Sequence, residues 1–68
     1  MTNDEFNCAT ANPIAVEFLE KFGGHFIKLH ENLFVYSYEE KFYELPDNFI
    51  EILKESFNSG KIQLKELK

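Results

Sequence analysis

The spacing of apolar residues changes twice along the chain, and each change marks a different secondary structure. Between Asn12 and Gly24, apolar side chains recur every four residues, which is the period of an amphipathic helix facing a core. Asn12 followed by Pro13 is a typical helix start, and Gly23 with Gly24 is a typical left-handed stop. The predicted helix carries its apolar stripe on Ile14, Phe18 and Phe22, with Ala15 and Leu19 alongside.

After residue 24 apolar and polar residues alternate, which predicts strands. The three predicted strands are His25–His30, Leu33–Tyr38 and Lys41–Leu45. The link Glu39-Glu40 lacks the Asn-Gly or Gly of a favoured two-residue hairpin, so we expect a longer or bulged turn there. Both faces of the second strand are apolar enough to be covered, and the sequence leaves open which one is buried. These faces are Phe34, Tyr36 and Tyr38 on one side, and Leu33, Val35 and Ser37 on the other.

Helical spacing returns after Leu45 and predicts a second helix. Pro46 suits the first helical position, and Asp47 can cap the helix or lie against the positive end of its dipole. The predicted buried stripe consists of Phe49, Ile50, Leu53 and Phe57, widened by Ile52. A turn signal at Gly60 ends this helix, and the alternation in Lys61–Leu67 predicts a final edge strand whose lysines discourage unwanted pairing.

These elements predict one α+β domain over residues 1–68, in the order α-β-β-β-α-β. The simplest packing puts two helices on one face of a mainly antiparallel sheet of three or four strands. The last strand can run parallel to the third strand or lie beside the first, and the sequence does not decide between them. Residues 1–11 are polar and aperiodic, so we expect a flexible or lightly docked N-terminal arm.

Composition and charge narrow the classes of function. The chain has 68 residues and a net charge of −5, and its seven cationic side chains are all lysines. Because arginine supplies the planar fork used for phosphates and base edges, its absence from an acidic chain argues against direct nucleic-acid binding. A chain of this size buries only about 60% of its unfolded surface, so a deep substrate pocket is also disfavoured.

The cysteine count and the N-terminus bear on location. Cys8 is the single cysteine, so an intramolecular disulfide is impossible and a reducing compartment is favoured. The first twelve residues lack the basic start and apolar run of a signal peptide. No segment reaches the ~20 apolar residues of a membrane span. We therefore expect a cytoplasmic protein that does not contact membranes.

No pattern of catalytic or metal-binding residues accompanies these features. His25 and His30 are five residues apart in a strand and are expected on opposite faces, with no further ligands at metal-site spacing. Cys8 has no neighbouring base or positive charge that would activate its thiol. We predict that the protein is not an enzyme and that it uses no cofactor or metal ion.

Carboxylates form the most suggestive surface pattern. Asp47, Glu51 and Glu55 recur every four residues, so a helix would align them about 6 Å apart, comparable to the phosphate spacing of a nucleic-acid strand. The plainer interpretation is a solvated helix face. The predicted partner-binding residues are the acids Glu39, Glu40, Glu44, Asp47, Glu51 and Glu55, with Tyr36, Tyr38 or Tyr43 as aromatic anchors.

In general format the chain resembles the small, acidic, phage-encoded inhibitors of the anti-CRISPR type. The likeness rests on a small α+β domain, no catalytic motif, no arginine, and a run of acids from Glu39 through Glu55. The resemblance implies a protein that occupies the nucleic-acid-binding or partner surface of a defence complex.

Two hypotheses of different classes follow. The first is a non-catalytic inhibitor or adaptor that binds a partner protein with a basic surface. The second is a structural or self-assembling module that forms a homodimer through an exposed sheet face or edge strand.

Overall fold

The computed structural model describes residues 1–31 and 33–67. Its helices and strands follow in the order α-α-β-β-β-α, and the expected α+β class is confirmed. The order differs from the prediction at both ends of the chain, where a helix is added and a strand is lost. The elements are α1 (Asn3–Thr10), α2 (Pro13–Phe22), β1 (His25–His30), β2 (Leu33–Tyr38), β3 (Lys41–Glu44) and α3 (Phe49–Ser59).

The N-terminal residues, predicted as a flexible or lightly docked arm over residues 1–11, form helix α1, in which no residue is fully buried. The Thr2 hydroxyl accepts from the Glu5 amide at 3.1 Å, and the Thr2 amide donates to the Glu5 carboxylate at 3.0 Å. This reciprocal capping box satisfies two free backbone amides and starts the helix. Phe6 stacks on Phe34 with ring centroids 4.5 Å apart, which fastens α1 to the sheet.

Helix α2 confirms the predicted start and stop. The Asn12 side chain accepts from the Ile14 amide at 2.9 Å, Pro13 occupies the first turn, and Gly23 ends the helix with φ +85°. Gly24 follows with φ +82°, and a Cβ atom there would lie 2.5 Å from the Ser37 carbonyl oxygen. The glycine is therefore required by close backbone approach as well as by its left-handed conformation.

The sheet is antiparallel with the strand order β1-β2-β3. Phe26, Tyr36 and Tyr43 lie side by side across the three strands, and cross-strand partners share a face. The register shifts between Lys28 and His30, where β1 carries a bulge.

All three helices cover the face of the sheet that carries Tyr36, which decides the question the sequence left open. Phe18 of α2 packs edge-on against Tyr36 with ring centroids 5.0 Å apart, and both residues are fully buried. The buried cluster consists of Ala15, Phe18, Phe34, Tyr36, Leu45, Phe49, Leu53 and Leu64. The opposite face, which we call the helix-free face, carries Ile27, Val35 and Glu44 in one cross-strand row.

The β2–β3 connection corrects the expectation of a longer or bulged turn. Tyr38 pairs with Lys41, so Glu39 and Glu40 alone form a two-residue turn. Both have positive φ angles, +48° and +67°. This is the turn whose twist suits a hairpin, and it normally uses asparagine and glycine because other residues are strained there.

The end of the chain does not form the predicted strand. Residues 61–67 make one isolated antiparallel bridge, between Tyr43 and Glu66, so the expected parallel pairing with β3 and the alternative place beside β1 are both wrong. The buried Ser56 hydroxyl accepts from the Gln63 amide at 2.9 Å, which turns the segment back onto α3. Leu64 then enters the core, and only residues 65–67 reach the outer side of β3.

Candidate functional site

The turn between β2 and β3 is the most unusual acidic feature of the surface. We call residues Tyr38, Glu39, Glu40 and Lys41 the hairpin tip. Glu39 and Glu40 are exposed and adjacent, and both hold a left-handed backbone conformation that costs a non-glycine residue about 1–2 kcal/mol. Strain of this kind persists only where surrounding structure enforces it, and it concentrates at functional sites.

Tyr38 provides an aromatic group beside these carboxylates. Its ring is half-buried and stacks nearly parallel to Tyr36, with centroids 6.0 Å apart and an interplanar angle of 10°. A hydrogen bond to the Glu39 carboxylate, together with the charge of that carboxylate, raises the pKa of Tyr38. The aromatic ring and the Glu39 carboxylate therefore lie next to each other at this end of the sheet.

Tyr36 is not available to a partner, so its predicted role as an anchor is wrong. Its side chain is fully buried, and its hydroxyl donates to the carbonyl oxygen of Gly23. Burial, aided by neighbouring groups, raises the pKa of Tyr36 to about 12. The alternation of β2 put Tyr36 on the same face as Tyr38, but the covering helices close over its position in the middle of the sheet.

Tyr43 lies between these two extremes. It is half-buried on the helix-covered face, 5.9 Å from Tyr36 between ring centroids, and its backbone bridges to Glu66. Of the three predicted tyrosines, Tyr38 and Tyr43 therefore keep some contact with solvent, and only Tyr38 adjoins the acidic turn.

Glu44 is exposed but belongs to another part of the surface. It pairs with Val35 across β2 and β3, which puts it on the helix-free face. Glu51 and Glu55 are exposed on α3, which packs against the opposite face. The strand acid and the helix acids therefore lie on opposite sides of the sheet, and one protein surface cannot cover them all by lying flat on the domain.

The predicted ridge of three carboxylates is also shortened. Helix α3 begins at Phe49, later than expected, so Asp47 precedes it and is not aligned with Glu51 and Glu55 by helical geometry. Its carboxylate instead pairs with the Met1 amino group at 3.1 Å. Asn48 occupies the N-cap without a side-chain hydrogen bond, so neither capping nor a shared ridge accounts for Asp47.

The carboxylates of the hairpin tip are not neutralised within the part of the chain that the structure describes. The two ion pairs found there join Met1 to Asp47 and Lys41 to Glu66, the latter at 4.0 Å. The sequence contained no sign of the second pair, because it depends on the C-terminal segment lying against β3. Lys41 is thereby drawn towards Glu66, which leaves Glu39 and Glu40 without a cation within salt-bridge distance among residues 1–31 and 33–67.

The two histidines were predicted on opposite faces of the sheet, and the structure places them on the same face. Because of the bulge in β1, His25 pairs with Ser37 and His30 with Leu33, so both histidines belong to the helix-free face and not to opposite faces. Ser37 and Leu33 are four residues apart on β2, which is about 13 Å. The described residues contain no group of three side chains that could hold a metal ion.

An open depression of 420 Å³ lies between α1 and the start of α3. It is lined by Met1, Glu5, Cys8, Ala9, Asn12, Asp47 and Ile50. Cys8 is exposed there, and none of these side chains pairs it with a histidine or lysine that would activate the thiol.

No helix among the described residues is both long and apolar enough to cross a membrane. Comparisons with protein-family models, with curated proteins and with solved structures gave no match.

Proposed function

We propose that this chain is a non-catalytic acidic protein that binds a basic surface of a partner protein, acting as an inhibitor or adaptor. The hairpin tip is the contact site in this proposal, with Glu39 and Glu40 as the charged groups and Tyr38 as the aromatic anchor. The partner surface can be one that otherwise binds nucleic acid, as the resemblance to phage-encoded inhibitors implies.

One observation carries the proposal: two exposed glutamates occupy left-handed turn positions and have no cation within salt-bridge distance among residues 1–31 and 33–67. Asparagine and glycine would remove the backbone strain, and they are the usual residues in such a turn. A turn that serves only to connect strands has no need of two strained like charges. In a contact with a basic partner, the two negative charges would attract the positive surface of that partner.

The net charge of −5 supports the same proposal through association kinetics. An acidic protein is attracted to a basic surface over distances up to the Debye length, about 8 Å at physiological salt. The exposed acids of α3, Glu51 and Glu55, add to this attraction without having to touch the partner.

A charge-reversal experiment tests the proposal. The variant carrying Glu39→Lys and Glu40→Lys is compared with a matched control carrying Glu17→Lys and Glu20→Lys on the exposed side of α2. Both variants have the same net charge, so a general electrostatic effect would weaken binding equally. Each protein is used as bait in lysate of the native host, and recovered proteins are quantified across a salt series.

The expected result is a basic partner that the wild-type chain recovers in a salt-sensitive manner and that the hairpin-tip variant loses. The α2 control should keep most of the binding, because its altered residues belong to α2 and not to the hairpin tip. Equal recovery by the hairpin-tip variant and the wild type would refute the proposed site. Equal loss of partner binding in both variants would show that the hairpin tip contributes only through the net charge of the protein.

A third bait separates steering from contact. Reversal of Glu51 and Glu55 should slow association and lower its salt dependence while leaving the dissociation rate nearly unchanged, as expected for peripheral charges. A large increase in dissociation rate would instead place α3 inside the interface.

A further inference from the structure

The outer side of β1 is a sheet edge without a pairing strand among the described residues. The strand order is β1-β2-β3, and residues 65–67 extend the sheet beside β3 at the other side. Most of β1 is exposed, including Leu29, which keeps 39% of its surface accessible. Unpaired backbone groups on such an edge can accept an additional strand.

The hydrogen bonds of the neighbouring strands show which backbone groups point outwards. In antiparallel pairing, the N–H and C=O of one residue point to the same neighbour, and successive residues alternate between neighbours. The Leu45 amide donates to the Phe34 carbonyl at 3.1 Å, so the backbone groups of Phe34 face β3. The backbone groups of Val35 therefore face β1, where Val35 is paired with Ile27.

It follows that Ile27 directs its backbone groups inwards to β2, whereas Phe26 and Lys28 direct theirs to the free edge. The other side of the sheet supports this alternation. Glu44, which is opposite Val35, directs its amide away from β2 and donates to Lys65 at 2.9 Å. The free edge thus offers two residues, separated by one, for pairing with another strand.

We infer that β1 is a self-association edge, at which a second copy of this chain pairs antiparallel with its own β1 about a two-fold axis through Ile27. In this register Phe26 of each copy exchanges two backbone hydrogen bonds with Lys28 of the other. Ile27 lies directly opposite Ile27 of the second copy, and Leu29 lies beside its His25.

The register is selected by the surroundings of the edge. Moving the axis to Phe26 would pair Lys28 with Gly24, which has φ +82° and lies outside the strand. Moving it to Lys28 would place two lysines opposite each other and would pair Phe26 with His30 beyond the bulge. The axis through Ile27 avoids both the lysine–lysine contact and the pairing of Lys28 with a residue of positive φ.

The side chains of β1 favour a second copy as the occupant in this register. The charged or titratable groups of β1 are Lys28, His25 and His30, and none of them lies opposite its own counterpart. Each Lys28 would lie across from the Phe26 ring of the other copy, where an ammonium and its aliphatic stem are favourably placed. The glutamates of the hairpin tip remain outside the contact, so this inference does not depend on the proposed function.

Site-specific cross-linking tests the register. In a Cys8→Ser background, Ile27→Cys places two thiols at a directly opposed, non-hydrogen-bonded pair with Cα atoms about 4.5 Å apart, which suits a disulfide. The matched control, His25→Cys in the same background, leaves its two thiols about 13 Å apart along the strands. Mild oxidation should give a disulfide-linked dimer for Ile27→Cys and little for His25→Cys. Equal yields for the two variants would overturn the register.

Sedimentation of the full chain over a concentration series tests the association itself. The wild type should dimerise, and Lys28→Pro should raise the dissociation constant about tenfold or more, because proline removes an outward amide that β2 does not use. Lys28→Gln, which removes the charge but keeps the amide, should retain most of the affinity. A wild-type chain that stays monomeric up to about 1 mM would overturn the proposal.

Salt separates this contact from partner binding. Two copies each with a net charge of −5 repel, so dimerisation should strengthen as salt is added, whereas binding to a basic partner should weaken. The Glu39→Lys, Glu40→Lys variant should keep the dimer even if it loses the partner. Weakening of the dimer by salt would contradict a contact held by backbone hydrogen bonds between two acidic chains.

Discussion

Replacing the two glutamates of the hairpin turn by the residues that the turn conformation favours should stabilise the domain. The double substitution Glu39→Asn, Glu40→Gly leaves the strands and their register unchanged. Glu39 and Glu40 have φ angles of +48° and +67°. Asparagine tolerates this region, and glycine occupies it without a steric penalty.

The expected magnitude follows from the backbone conformation. Relief of two left-handed residues gains about 2–4 kcal/mol, at about 1–2 kcal/mol each. The additional freedom that glycine gives to the unfolded chain offsets about 0.4–1 kcal/mol of this. A net stabilisation of about 1–3.5 kcal/mol remains, which would raise Tm by roughly 4–8 °C per kcal/mol.

Thermal and urea unfolding followed by circular dichroism measure this change. The control is Glu39→Gln, Glu40→Gln, which removes the same two charges but keeps side chains that are strained in this conformation. We expect the control to remain within about 0.5 kcal/mol of the wild type. If the Asn-Gly variant is no more stable than the Gln-Gln control, backbone strain at the turn is not the cause and our reasoning fails.

The same variant links stability to function. If the strained glutamates are retained for partner binding, the Asn-Gly variant should be more stable and should bind the partner less tightly, which is the usual trade-off at functional sites. If the variant gains stability and keeps full affinity for the partner, the contact site does not include the hairpin tip.

Three further predictions concern the core and the helix ends. Tyr36 has its pKa raised to about 12 from the ordinary 10.0, so its contribution is complete below pH 10 and is lost between pH 10 and 12 as the unfolded chain deprotonates first. The loss should total about 2–3 kcal/mol, and Tyr36→Phe should flatten this alkaline slope in urea unfolding; an unchanged slope would exclude Tyr36 as its source. Gly24→Ala should destabilise the domain by about 2–4 kcal/mol, because its Cβ would meet the Ser37 carbonyl at a positive φ, and a loss below about 1 kcal/mol in the same assay would contradict the close approach. Thr2→Ala should cost about 0.5–2 kcal/mol by removing the cap shared with Glu5, measured as lost hydrogen-exchange protection in α1; unchanged protection would show that the cap is unimportant.

Helix α2 shows how much of the fold is readable locally. Its start at Asn12-Pro13, its stop at Gly23 and its stripe ending at Phe22 were all predicted, because each signal acts within a few residues. Helix α1 was missed although Thr2 and Glu5 carry a capping-box pattern. Its short polar sequence forms a helix only weakly by itself, and the helix is stabilised by Phe6 packing on Phe34. No local sequence pattern predicts that contact.

The candidate site was predicted only in part. Glu39 and Glu40 were recognised as surface acids, but their left-handed conformation was not, since glutamate is rarely found there. Tyr36 and Tyr38 share one strand face in the sequence, yet only Tyr36 is fully buried. The difference depends on which strand positions the helices cover, and that coverage is set by contacts distant in the chain.

The sequence by itself determined the α+β class, the position of α2 and the three strands, and the acidity. Those properties follow from periodicity, capping and composition, which act over short stretches of chain. Only the tertiary structure decided which sheet face is buried, where residues 61–67 lie, and how the acids are divided between the two sides of the sheet. These depend on which arrangement buries the most apolar surface while satisfying the backbone hydrogen bonds, and that balance is reached only when the whole chain is folded.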